Sequence, residues 1–166
     1  DTANKNYFID SDGALYSAVK TKLLCYPKGG ASDIVIADGV EEIDANLFRE
    51  NANLRTVKIP ASLKKIGDNA FAHCTLLVKI EFASDSASVT IGNFAFNSCK
   101  SLSSVSLPSG LTKIGNKAFY NNTSLSSITF GGNKLTEIGE SAFGYCNALT
   151  EITLPEGLEV IGGGAF

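Results

Sequence analysis

The chain has 166 residues, 44% of them apolar and 19% charged, with a formal net charge of −3. That is enough for one domain with a buried core, and it excludes a disordered chain. The acidic balance argues against nucleic acid as a partner, because such binders carry a basic excess. No apolar run reaches the ~18 residues that a membrane-spanning helix needs.

In chain order, the polar opening Asp1 to Lys5 lacks Met and does not read as a signal peptide. The missing Met points to a processed chain, compatible with an export signal already removed. Gly13–Tyr16 and Leu23–Pro27 read as two short strands, with turn signals at Asp12-Gly13 before the first and Lys28–Gly30 after the second. Asp10–Gly13 has the opening of a calcium loop but lacks the later ligands and distal Glu, so it is read as a turn. Ile34–Val40 matches the strand-and-turn part of the repeats that occupy the rest of the chain. Residues 1–39 are therefore expected to cap a repeat array over 40–166, because a bare end would expose core and a strand edge.

The array is explicit. Close copies begin at Ile66, Ile91, Ile114 and Ile138, a degenerate one at Ile43 and a shortened one at Ile161. One column holds Phe48, Phe71, Phe96, Phe119, Phe143 and Phe166, at steps of 23, 25, 23, 24 and 23 residues. The extra residues fall in Ala83–Thr90 and Gly131–Lys134, at one corner of each coil, as insertions in a solenoid do. The segment Leu-x-x-Ile-x-Leu alternates like a strand with one buried face, and Pro60, Pro108 and Pro155 end it. Leu-x-x-Ile-Gly reads as a second short strand, with Gly supplying a tight bend. Ala-Phe-x-x-Cys is expected to form one helical or 3-10 turn whose apolar groups share a side. The fold class is thus a leucine-rich repeat solenoid with two short parallel strands and a helical turn per coil, right-handed, with an N-terminal capping hairpin. Leu102, Val105, Leu107, Leu111, Ile114 and Phe119 should be buried. The last coil stops at Phe166 in mid-repeat, so a longer natural protein is expected.

The pattern Ile-Gly-x-x-Ala-Phe-x-x-Cys-x-x-Leu-x-x-Ile-x-Leu-Pro resembles the BspA-like bacterial leucine-rich repeats, which also occur in treponemal surface proteins. The resemblance covers about Val40 to Phe166, and Gly13–Tyr16 followed by Leu24–Pro27 resembles segments that precede such repeats. It implies an exported, surface-associated protein, with adhesion to host matrix or cells as the role. Asn122 stands where the pattern has Cys, and Asp44 where it has Gly. The resemblance brings no catalytic residues.

Little here points to chemistry. Cys74, Cys99 and Cys146 recur in one column and read as small buried fillers, with Asn122 able to replace them by bonding to backbone. In-register stacking would point Cys74 and Cys99 in parallel, against a disulfide, and Cys25 is expected in the core. No metal site is expected, since there is no C-x-x-C pair and His73 is the sole histidine. His73 directly precedes Cys74, which sends the two side chains apart and leaves His73 as an exposed turn residue. No enzyme activity and no cofactor are expected. Asn121 and Asn122 each begin an Asn-x-Ser/Thr sequon, relevant only if the source glycosylates.

The outward positions of the longer strands are Thr56, Lys58, Lys79, Glu81, Ser104, Ser106, Ser127, Thr129, Glu151 and Thr153. They read either as a solvated sheet face or as a rigid recognition strip for a protein partner, as repeat proteins use. Arg49, Arg55, Lys58, Lys64 and Lys65 cluster early, and from Leu135 onward there are five Glu and no Lys or Arg. That asymmetry reads as ordinary surface drift or as a bipolar field that orients a partner. Carbohydrate binding is less favoured because aromatics are sparse on the ribbon. The expected role is a secreted or cell-surface protein-binding module, with a structural spacer projecting another domain as the alternative.

Overall fold

A computed structural model describes residues 5–11, 13–27, 29–83 and 88–166. Fourteen short strands form among them: β1 (Tyr7–Ile9), β2 (Leu15–Ser17), β3 (Lys22–Cys25), β4 (Asp33–Val35), β5 (Glu42–Ile43), β6 (Thr56–Ile59), β7 (Lys65–Ile66), β8 (Lys79–Phe82), β9 (Val89–Ile91), β10 (Ser104–Leu107), β11 (Leu111–Ile114), β12 (Ser127–Phe130), β13 (Glu137–Ile138) and β14 (Val160–Ile161). The chain winds as a β-solenoid of about six coils. One sheet runs the whole length, β1-β2-β3-β5-β7-β9-β11-β13-β14. From β3 onward its pairings are parallel, as one equivalent strand per coil requires.

The second face carries the longer strands in two blocks, β4-β6-β8 and β10-β12, again parallel within each block. The ladder lapses between β8 and β10, where the coil is longest. Residues 84–87 of the expected Ala83–Thr90 loop lie outside the described residues, while Val89 and Thr90 belong to β9. Gly131–Lys134 lies within them: Gly131 donates its N–H to Leu107 O at 2.9 Å. The strand expected around Glu151 and Thr153 does not form, and residues 151–155 carry no strand.

The expected helical turn is absent. No helix occurs among the described residues, and the backbone shows why. In each coil the residue two before the column Phe and, in five coils, the residue two after it have positive φ: Asn46 and Glu50, Asn69 and His73, Phe94 and Ser98, Lys117 and Asn121, Ser141 and Tyr145, with Gly164 ending the first series. A right-handed helix cannot contain left-handed residues at that spacing. Alternate N–H groups instead cross to the next coil, as in Asn69 to Asn93 O, Phe71 to Ala95 O and His73 to Asn97 O at 2.7–2.9 Å. Those between them close turns, as in Ala72 to Asn69 O and Cys74 to Phe71 O. This segment is therefore a third inter-coil ladder, which satisfies backbone groups that a one-turn helix would leave open.

All six residues expected in the core are buried, as are the five Phe from Phe48 to Phe143. Their rings stack along the axis at 4.9, 5.0, 5.2 and 5.3 Å, tilted by at most 14°, and Phe166 continues the stack at 5.5 Å. The glycine after each short strand serves close approach, not a left-handed bend. A Cβ on Gly115 would lie 2.6 Å from the Gly92 carbonyl carbon, closer than a real side chain can sit. The next position forms its own ladder: Asp68 accepts from Asn93 N–H, Asn93 from Asn116 N–H and Asn116 from Glu140 N–H, at 2.8–2.9 Å.

At the N-terminus, β1-β2-β3 is an antiparallel meander, so the expected hairpin is present with one strand more. Tyr26 packs on Phe48 at 5.5 Å and closes that end of the ring stack. The Asp10 carboxylate accepts from Ala14 N–H at 2.9 Å and from the Tyr16 hydroxyl at 3.1 Å, so it is committed to the turn. Asp12 and Lys28, named in the expected turns, lie outside the described residues. Cys25 is exposed, against its expected place in the core. It is the last residue of β3, where the strand leaves the sheet.

Candidate functional site

The cysteine column is structural. The Cys74, Cys99 and Cys146 thiols donate to the Phe48, Phe71 and Phe119 carbonyls at 3.0, 3.2 and 3.1 Å. Asn122 makes the same bond through Nδ2 to Phe96 O at 3.1 Å, while its buried Oδ1 finds no partner among the described residues. Burial pushes the Cys74 thiol up to about 12 and that of Cys146 to about 11. Cys99, nearly enclosed, lies well above the ordinary thiol value for the same reason. Such groups stay protonated and are poor nucleophiles. His73 is exposed while Cys74 is buried, so the two do not form a nucleophile–base pair. Asn122 is fully buried, which removes it as a glycosylation acceptor.

The ribbon does gather most of the residues expected on it. Within β6 and β8, Thr56 opposes Lys79 and Lys58 opposes Glu81. Within β10 and β12, Ser104 opposes Ser127 and Ser106 opposes Thr129. These four hydroxyl side chains are exposed while Val105, Leu107 and Ile128 between them are buried. The Thr129 hydroxyl donates to Ser106 Oγ at 3.1 Å, joining the two strands on the outer face. Glu151 and Thr153 are exposed beyond them without a strand to hold them.

The basic end is not a free positive patch. Glu81 pairs with Lys58 at 3.6 Å and with Lys79, and the adjacent Lys79 ammonium holds its carboxyl below the usual range. Lys64 pairs with Glu41 at 2.8 Å, Lys65 with Glu42 at 3.2 Å and Arg49 with Glu50 at 3.2 Å. Four of the five early cations thus face a carboxylate, three of them across a coil boundary. Exposed pairs of this kind add little stability, but they cancel most of the field that would orient a partner.

A second polar and aromatic surface escaped the reading of the sequence because it lies on the stacked turns, not on a strand. Phe94, Lys117 and Tyr120 are half-buried there and Tyr145 is exposed. The Lys117 ammonium sits 5.7 Å from both the Phe94 and Tyr120 ring centres. Tyr145 meets Tyr120 edge-on at 5.1 Å. Beside them Ser98 donates to Asn97 Oδ1 at 3.0 Å, and Asn121 Nδ2 donates to Ser98 Oγ at 3.1 Å. The available signal was three bulky aromatics in the variable positions flanking the column Phe.

Coils stacked along one sheet that joins them all define a repeat scaffold, a class that serves as protein-interaction modules. The chain belongs to the BspA type leucine rich repeat family, whose profile matches residues 24–89 and 79–166 in six copies. It is similar in structure to the pneumococcal vaccine antigen PcpA (24% identity, TM-score 0.79, covering 99% of this chain and 39% of that one). It is also similar to a leucine rich cell surface protein of Faecalibacterium prausnitzii (25%, 0.60, 99% and 51%) and to the Treponema pallidum leucine rich repeat protein (25%, 0.58, 94% and 82%). The chain therefore spans 39% and 51% of the length of the first two. No curated protein matches it in sequence. Among the described residues, no helix is long and apolar enough to cross a membrane.

Proposed function

We propose that this chain is a non-catalytic module of a secreted or cell-surface protein and binds a protein partner through the hydroxyl ribbon, in adhesion to host matrix or cells. In this reading residues 1–39 cap the array and 40–166 carry it. The observation that carries the reading is the in-register block Ser104/Ser127 and Ser106/Thr129, exposed on strands whose alternate residues are locked in the core. A surface held that firmly loses little entropy on association. It also carries no charge, so its shape and hydrogen-bonding groups would decide which partner fits. Thr56, Lys58, Lys79 and Glu81 extend the surface on one side, and Glu151 and Thr153 on the other. The Faecalibacterium relative, described as a cell surface protein, is consistent with display.

The test replaces Ser104, Ser106, Ser127 and Thr129 together with Lys and measures adherence to immobilised extracellular-matrix proteins and to intact cells. The expected result is lost adherence with the fold retained by circular dichroism, because the four side chains face solvent; the lost Thr129–Ser106 bond and the like charges set opposite each other lower the thermal midpoint only modestly. Adherence equal to wild type removes the ribbon from consideration and moves attention to Gly131–Lys134 and the Ala83–Thr90 corner. A folded wild-type chain that adheres to nothing favours a spacer that projects another domain.

A further inference from the structure

The aromatic surface on the turns is placed where side chains of its kind are unfavourable. Phe94 has φ 56° and Tyr145 has φ 59°, in the left-handed region that Gly and Asn tolerate best. Sister coils use Asn46, Asn69, Asn121 and Gly164 in these two columns, and also Glu50, His73, Ser98, Lys117 and Ser141. Phe94 is half-buried and Tyr145 is 64% exposed, so neither ring is needed to fill the core. The columns accept many side chains, and aromatic rings placed there toward solvent, without a packing role, point to a task outside the fold.

The chemistry of the neighbours narrows that task. Phe94, Tyr120 and Tyr145 lie on three successive coils and cross the turn face as a diagonal strip. Lys117 is the one ionic group in their columns on these coils, and it is engaged with the Phe94 and Tyr120 rings. Asn97, Ser98 and Asn121 border the strip, and their shared hydrogen bonds fix the side-chain amides. Asn97 and Ser98 are buried and Asn121 is half-buried, so Asn121 is the amide of this group that solvent reaches most readily. Exposed rings beside fixed amides, with a single cation among them, suit a polyhydroxylated ring, which offers C–H groups on its face and hydroxyls at its rim.

Size favours the same partner. Three coils span roughly 15 Å with ring widths included, a footprint far below the ~800 Å² per side of a standard protein interface yet enough for about three sugar rings. The Tyr120 and Tyr145 ring centres, edge-on to each other, lie 5.1 Å apart, so neighbouring rings are about one sugar unit apart. We propose that the strip Phe94–Tyr120–Tyr145, with Asn121 at its edge, is a binding site for a β-linked polysaccharide that crosses the turn face along the strip. This site is separate from the hydroxyl ribbon and does not depend on it.

The test uses the folded chain with two neutral probes, cellohexaose and the hexamer of N-acetylglucosamine, by calorimetry and by intrinsic tyrosine fluorescence, which the absence of Trp leaves unobscured. At least one hexamer is expected to bind and to bind more tightly than its dimer; which of them does so tells a plain glucan from an acetamido glycan. Tyr145→Phe keeps the ring and should stay within about twofold of wild type. Tyr145→Asn and Phe94→Asn should each weaken binding tenfold or more while the thermal midpoint stays level or rises, since Asn accepts the left-handed backbone. Neither hexamer binding at millimolar concentration overturns the proposal, as does equal affinity in Tyr145→Asn.

Discussion

Phe119→Ala probes the ring stack at its interior. Phe119 is fully buried and lies 5.2 and 5.3 Å from Phe96 and Phe143. Truncating a core Phe costs about 3–5 kcal/mol, and each lost ring pair adds about 0.5–1.5 kcal/mol beyond area, so the upper part of that range is expected. With a denaturant slope near 2 kcal/mol/M, a loss of 4 kcal/mol lowers the urea midpoint by about 2 M. Phe166 supplies the comparison. It is 53% exposed with one stacked neighbour, so Phe166→Ala should cost about 1–2 kcal/mol. Urea melts followed by far-ultraviolet circular dichroism measure both. A loss below about 1 kcal/mol for Phe119→Ala, or equal losses at the two positions, refutes the stacked core.

In the native chain Cys25 alone should react quickly with a thiol reagent, and all four cysteines should titrate after unfolding without reductant; recovery of two or fewer reveals a disulfide. Cys74, Cys99 and Cys146 hold raised folded-state pKa values, so the native state retains protons that the unfolded state releases above about 9, and stability falls with rising pH. Between pH 9 and 10.5 Cys74 and Cys146 should each contribute a loss of about 2 kcal/mol, with Cys99 acting in the same direction, and a thermal midpoint flat over that window contradicts the buried, protonated thiols. Asn122→Cys restores the column and removes the unpaired Oδ1; it should stabilise by about 1–3 kcal/mol, and a destabilised variant counts against that column's bonding scheme.

The coil, its period and its core were legible because burial imposes a strict alternation on Leu-x-x-Ile-x-Leu and a fixed Phe column. The turn segment was misread because Ala-Phe-x-x-Cys fits a helical turn as well as it fits a stacked turn. What separates them is the hydrogen-bond partner in the next coil, which one coil's sequence does not contain. The repeated glycine misled in a related way: its purpose, as at Gly115, is to let the neighbouring backbone approach. Cys25 looked like core because of its apolar neighbours, yet it ends β3 on the outside. The ribbon residues followed from strand alternation, but the pairing of Lys58 and Lys79 with Glu81 depended on coil register. Phe94, Tyr120 and Tyr145 occupy variable positions of the repeat, and only the stacked turns bring them to one surface.

The central claim is that a partner docks on the hydroxyl ribbon. A photoreactive residue placed at Ser106, and separately at Thr136, which is exposed beside β13 on the long sheet, tests it at the level of single positions. Each labelled chain is bound to matrix protein or cells and irradiated. Cross-linking from Ser106 and none from Thr136 is the predicted result. Cross-linking from Thr136 and not Ser106, or from neither while adherence persists, contradicts it.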